Sequence, residues 1–112
     1  MAIKYVVIPE RKKTIAILEG TEWDALNRIE KMTGDSSFYS HKYLMPNRFK
    51  ASTICDDRDN YDIEEGKRIA KEKLMKNYYK SMDKKIEMFR NDLIALNSKV
   101  FETSPEIMEE QA

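Results

Sequence analysis

A single cysteine, Cys55, leaves the chain no internal disulfide and fits a reducing, cytoplasmic setting. No apolar run exceeds four residues, as in Tyr5 to Ile8, so no segment is expected to span a bilayer, and the first residues lack the apolar stretch of a secretion signal. The only histidine, His41, has no cysteine nearby and no Ser-His-Asp pattern around it, and reads as a surface or packing residue. There is no glycine-rich phosphate loop, no His/Cys cluster and no nucleophile with a base beside it. No catalytic residue, metal ligand or cofactor is therefore expected, and the chain does not read as an enzyme. The formal net charge is zero, which speaks against a dedicated nucleic-acid binder.

What remains is helix-forming and charged. Of the 112 residues, 41% are hydrophobic and 36% charged, the balance of one folded domain. We place that domain at residues 1–104, followed by an acidic flexible tail at 105–112. Its dominant feature is residues 62–100, which contain no proline and, apart from Gly66, no glycine. Met75, Tyr79, Met82, Ile86, Phe89, Leu93, Leu96 and Val100 recur at alternating spacings of four and three, the pattern of a coiled-coil seam. Asp62 with Glu65 predicts the start of the helix, and Pro105 predicts its end.

The rest of the chain predicts a small antiparallel sheet. Residues 3–8 and 14–18 read as a hairpin around the polar stretch Glu10 to Lys13. Thr21 is the expected cap of a short helix that ends at Gly34 and covers the sheet with Trp23, Leu26, Ile29 and Met32, Trp23 as a core anchor. Residues 35–47 carry Phe38, Tyr39 and Tyr43, a candidate contact loop or an irregular strand. Residues 48–55 alternate: Phe49, Ala51, Thr53 and Cys55 on one face, Arg48, Lys50, Ser52 and Ile54 on the other. The acidic stretch that follows fails as a calcium loop. Counted from Asp57, positions five, six and twelve hold Tyr61, Asp62 and Arg68, where a ligand, a glycine and a glutamate are needed. The fold class is thus α+β: β-β-α-β, then one long heptad-patterned helix.

Charge is distributed in blocks. Between Lys67 and Arg90 nine bases face three acids, a local net of +6, and four glutamates with no base close the chain from Glu102 on. Lys67, Arg68, Lys71, Lys76, Lys80 and Lys84, with Tyr78 for base stacking, form a candidate nucleic-acid strip. The apolar seam needs a cover, and a second copy is the expected one. An antiparallel pair is preferred over a parallel one, because it sets Lys85 against Asp92 and Asp83 against Arg90.

The run FKASTICDDRDNYDIEEGKRIAKEK, residues 49–73, resembles a segment of small proteins encoded by phages and prophages of Gram-positive bacteria. There an alternating strand is followed by an Asp-rich turn, a glycine and a helix; Asp59, Tyr61, Asp62, Gly66, Ile69 and Ala70 carry the likeness. The resemblance covers about a quarter of the chain and brings no catalytic residues. It implies an accessory role during infection, in the cytoplasm of an infected or lysogenic host. The residues themselves assign Tyr61 to anchoring the turn and Gly66 to close approach of helix and strand. Two functions follow as expectations. One is protein–protein binding, as an inhibitor of a host enzyme or of an anti-phage defence system in the manner of anti-CRISPR proteins. The alternative is a dimeric nucleic-acid binder using the basic helix face.

Overall fold

A computed structural model describes residues 2–35, 40–56 and 60–102, with side chains in the long helix described as far as residue 97. Three strands and two helices follow the expected order. Strands β1 (Ile3–Ile8) and β2 (Lys13–Glu19) form the hairpin, joined by a 3-10 turn at Pro9–Arg11. Strand β3 (Arg48–Ile54) pairs with the other side of β2. The sheet is antiparallel throughout, in the order β1-β2-β3. Its register sets Tyr5 beside Ala16 and Ala16 beside Ala51. The fold is α+β, and β3 alternates as its sequence predicts: Phe49, Ala51 and Thr53 are half-buried, and Arg48, Lys50, Ser52 and Ile54 exposed.

Helix α2 (Ile63–Glu102) spans 40 residues, about 60 Å at 1.5 Å per residue. Asp62 caps it: Oδ1 accepts the backbone N–H groups of Glu64 at 3.0 Å and Glu65 at 3.4 Å. The capping pair is only half realised, because the Glu65 carboxylate turns to Arg68. One turn on, Gly66 lies so close to β2 that a Cβ there would sit 2.5 Å from Thr14 Oγ1. The Tyr61 hydroxyl lies 2.7 Å from the same Oγ1 and donates to the Lys13 carbonyl at 3.2 Å. Tyr61 and Gly66 thus perform the roles their positions predict, joining the turn to the strand.

The first half of α2 covers one face of the sheet. Ala70, Leu74, Tyr78 and Met82 pack with Ala16, Leu18, Ala25 and Met45, and with half-buried Tyr5, Phe49 and Ala51. This buried row advances by fours. A helix laid on another surface buries an inclined i, i+4, i+8 ridge, whereas a partner helix selects alternating threes and fours. The tertiary neighbour is a sheet, so the phase of the buried face shifts from Tyr79 to Tyr78.

Helix α1 (Asp24–Thr33) packs on α2 instead of covering the sheet. Leu26 and Ile29 join Tyr43 and Phe89 in a second core cluster. Three expectations are corrected here. Thr21 is buried and gives its hydroxyl to the Pro46 carbonyl at 2.5 Å, so it is not a side-chain cap. Trp23 and Met32, expected on the packed stripe, are 48% and 56% exposed. With α2 as its support, α1 buries the face of Ala25, Leu26 and Ile29 and turns both large residues outward.

Candidate functional site: the long helix and its overhang

The expected seam divides into three parts. In the middle, Met82 and Phe89 are buried and Ile86 half-buried, all within this one chain. Phe89 meets Tyr43 edge-on, with ring centroids 5.7 Å apart. Arg28 on α1 reaches the Met82 sulfur at 4.0 Å. Nearer the N-terminus, Met75 is half-buried and Tyr79 is 48% exposed. Beyond Phe89 the helix runs past the body, and Leu93, Ile94 and Leu96 are 40%, 58% and 57% exposed. Val100 lies in the part whose side chains are not described. Beyond Phe89, the exposed apolar part of α2 among the described side chains is therefore Leu93 to Leu96, and it includes Ile94, which the heptad spacing missed. The signal was present in the run Leu93 to Leu96, apolar at every position.

The candidate contact loop also divides. Phe38 and Tyr39 lie outside the described residues. Tyr43 closes a 3-10 turn at His41–Tyr43 and is core, not contact surface. Its hydroxyl donates to the Asp92 carboxylate, which also takes Lys42 Nζ at 2.5 Å. Burial and then this carboxylate push the Tyr43 phenol up to about 12. The hydrogen bonds from Lys42 and Tyr43 hold Asp92 below the ordinary carboxylate range. Lys85 Nζ reaches the Lys42 carbonyl at 3.1 Å. Asp92 and Lys85 were expected to select an antiparallel dimer; both are engaged within the chain, so that pairing loses one of its two charge contacts.

The basic strip is thinner than its sequence predicts. Tyr78, assigned there for stacking, is 2% exposed. Its ring lies edge-on to Phe49, and its hydroxyl donates to Asp24 Oδ2 at 2.6 Å. Burial and this bond raise its pKa. Arg68 bridges Glu65 at 2.6 Å and Glu72 at 3.1 Å, and the Glu65 bond raises the Arg68 pKa. Lys67 lies 3.6 Å from Glu64 and over the Tyr5 ring. Lys71, Lys76, Lys80 and Lys84 remain exposed. Of these, Lys76, Lys80 and Lys84 share a shallow groove with Tyr79, Asp83 and Glu87, so carboxylates interrupt the positive surface.

A small cleft where β3 ends and α2 begins is lined by Lys12, Cys55, Asp56, Asp62 and Glu65, among others. The Cys55 thiol is half-buried and faces the Asn60 carbonyl at 3.8 Å. Among the described residues, no three His, Cys, Asp or Glu side chains are grouped to hold a metal ion, and no helix is long and apolar enough to cross a membrane. Comparison with protein-family models, with curated proteins and with solved structures gives no match.

Proposed function

We propose that this chain is a protein-binding accessory factor of phage type, which acts in the host cytoplasm against a host enzyme or an anti-phage defence system. We further propose that it assembles as a homodimer through the last third of α2. The observation that carries the reading is the overhang: Leu93, Ile94 and Leu96 stand exposed on a helix whose Ala70, Leu74, Tyr78, Met82 and Phe89 are buried in its own domain. An exposed apolar segment of this kind on a rigid helix marks an association site. The phage assignment draws on the resemblance of residues 49–73.

The test has two arms. Absolute mass by light scattering over a concentration series should show a dimer for the native chain and a folded monomer, with an unchanged circular dichroism spectrum, for Leu93→Asp/Leu96→Asp. Expression in a Gram-positive strain carrying CRISPR-type or restriction immunity should restore phage plating. A chain that stays monomeric at every concentration contradicts the first arm, and unrestored plating across several such systems contradicts the second.

Nucleic-acid binding is retained as a second reading on one observation, the exposed row Lys76, Lys80 and Lys84 beside Tyr79. It requires DNA or RNA binding that weakens steeply with salt and is lost when these lysines become glutamate.

A further inference from the structure

The sheet has a second face, and its central strand has the composition of one covered on both sides. Ile15, Ala16, Ile17 and Leu18 are apolar at every position, the pattern of a strand with two buried faces. Helix α2 covers the side of Ala16 and Leu18. The register lays out the other side in three rows. Lys4, Ile17 and Lys50 form the first, Val6, Ile15 and Ser52 the second, and Ile8, Lys13 and Ile54 the third. Ile15, at the centre, is 9% exposed, but Val6 and Ile54 at the edges are 43% and 66% exposed. None of the described helices packs over these rows.

The dimensions and charge of this face define its occupant. Two strand spacings make it about 10 Å wide, one helix diameter. Three rows extend about 14 Å, the rise of about nine helical residues. Lysines stand at both edges of the first row and in the middle of the third. Among the described outward-facing positions the one acid, Glu19, pairs with Arg48 at 3.6 Å. We propose that this face docks an acidic amphipathic helix of two to three turns from another protein, giving a helix–sheet–helix sandwich with the partner's apolar stripe on Val6, Ile15, Ile17 and Ile54 and its carboxylates on Lys4 and Lys50. This surface is separate from the overhang of α2, so neither proposal depends on the other.

The experiment titrates isotope-labelled full-length chain with a synthetic three-turn peptide bearing leucines at i, i+3, i+4 and i+7 and glutamates elsewhere. A version with lysine in place of glutamate and vesicles of phosphatidylglycerol serve as competing probes. The expected result is amide shifts confined to the three rows, with the acidic peptide binding roughly tenfold tighter than the basic one at low salt. Val6→Ser/Ile54→Ser, at exposed positions, should weaken it by a similar factor. Lys4→Glu/Lys50→Glu should reverse the preference. Leu93→Asp/Leu96→Asp should leave peptide binding unchanged. Equal binding of both peptides, shifts confined to α2, binding of vesicles but not peptide, or self-association abolished by Val6→Ser/Ile54→Ser would each overturn the proposal.

Discussion

At Gly66 the absence of a side chain sets the distance between helix and sheet. Alanine favours a helix interior over glycine by about 1 kcal/mol, but here its Cβ would meet Thr14 Oγ1 at 2.5 Å. The clash outweighs the propensity, because Thr14 is held by Tyr61. Gly66→Ala should destabilise the chain by about 1–2 kcal/mol in urea unfolding, and adding Thr14→Ala should recover part of the loss. A stabilised Gly66→Ala variant would show that the close approach does not exist. The buried phenols make a prediction of opposite chemical origin. Tyr43 titrates near 12 in the folded chain and near 10 when unfolded. Its neutral form therefore favours folding; this contribution is complete below about pH 10 and is lost as pH rises toward 12. Tyr78 is shifted in the same direction. Thermal melts should show an alkaline loss of stability that Tyr43→Phe and Tyr78→Phe each reduce. Asp92 acts with the reverse sign. Its folded pKa is depressed, so its contribution is present above the ordinary carboxylate range and disappears as pH falls through the lower folded value. Asp92→Asn should flatten the acid limb of the same melts.

Among the elements, α2 has two mechanical halves. From Ala70 to Phe89 it is fixed by the sheet, by α1 and by Tyr43. From Leu93 to Leu96 it is exposed. In a monomeric variant, Phe89→Ala should therefore cost about 3 kcal/mol of stability, and Leu96→Ala less than about 0.5 kcal/mol, both read from urea midpoints. Hydrogen exchange of a monomeric variant should be slow at residues 70–82 and faster at residues 93–97, whose side chains are exposed. The short helix tells a similar story: its stripe of Trp23, Leu26, Ile29 and Met32 is evenly spaced, yet only the middle two are buried. Trp23 emission should accordingly change little on unfolding, and a large shift would place the indole in the core.

On the scale of the whole molecule, two exposed apolar surfaces are proposed to take different partners. The overhang and the outer sheet face are separated along and across the fold, so they make separable predictions. Loss of dimer mass belongs to Leu93 and Leu96, and loss of peptide binding belongs to Val6 and Ile54. Much of this architecture was legible in the residues. The hairpin follows from two short β-branched runs around Pro9, β3 from strict alternation, and the start of α2 from Asp62, Tyr61 and Gly66. These features depend on neighbours within a few residues, where backbone geometry and capping leave little choice. What the sequence could not decide was the phase of the two helices. Adjacent positions on a helix differ by about 100°, and α2 carries two competing apolar rows, one through Met75, Tyr79 and Ile86 and the other through Ala70, Leu74 and Tyr78. Local propensity is the same for both. Only packing against the sheet selected the second row, burying Tyr78 and exposing Tyr79, Leu93, Ile94 and Leu96.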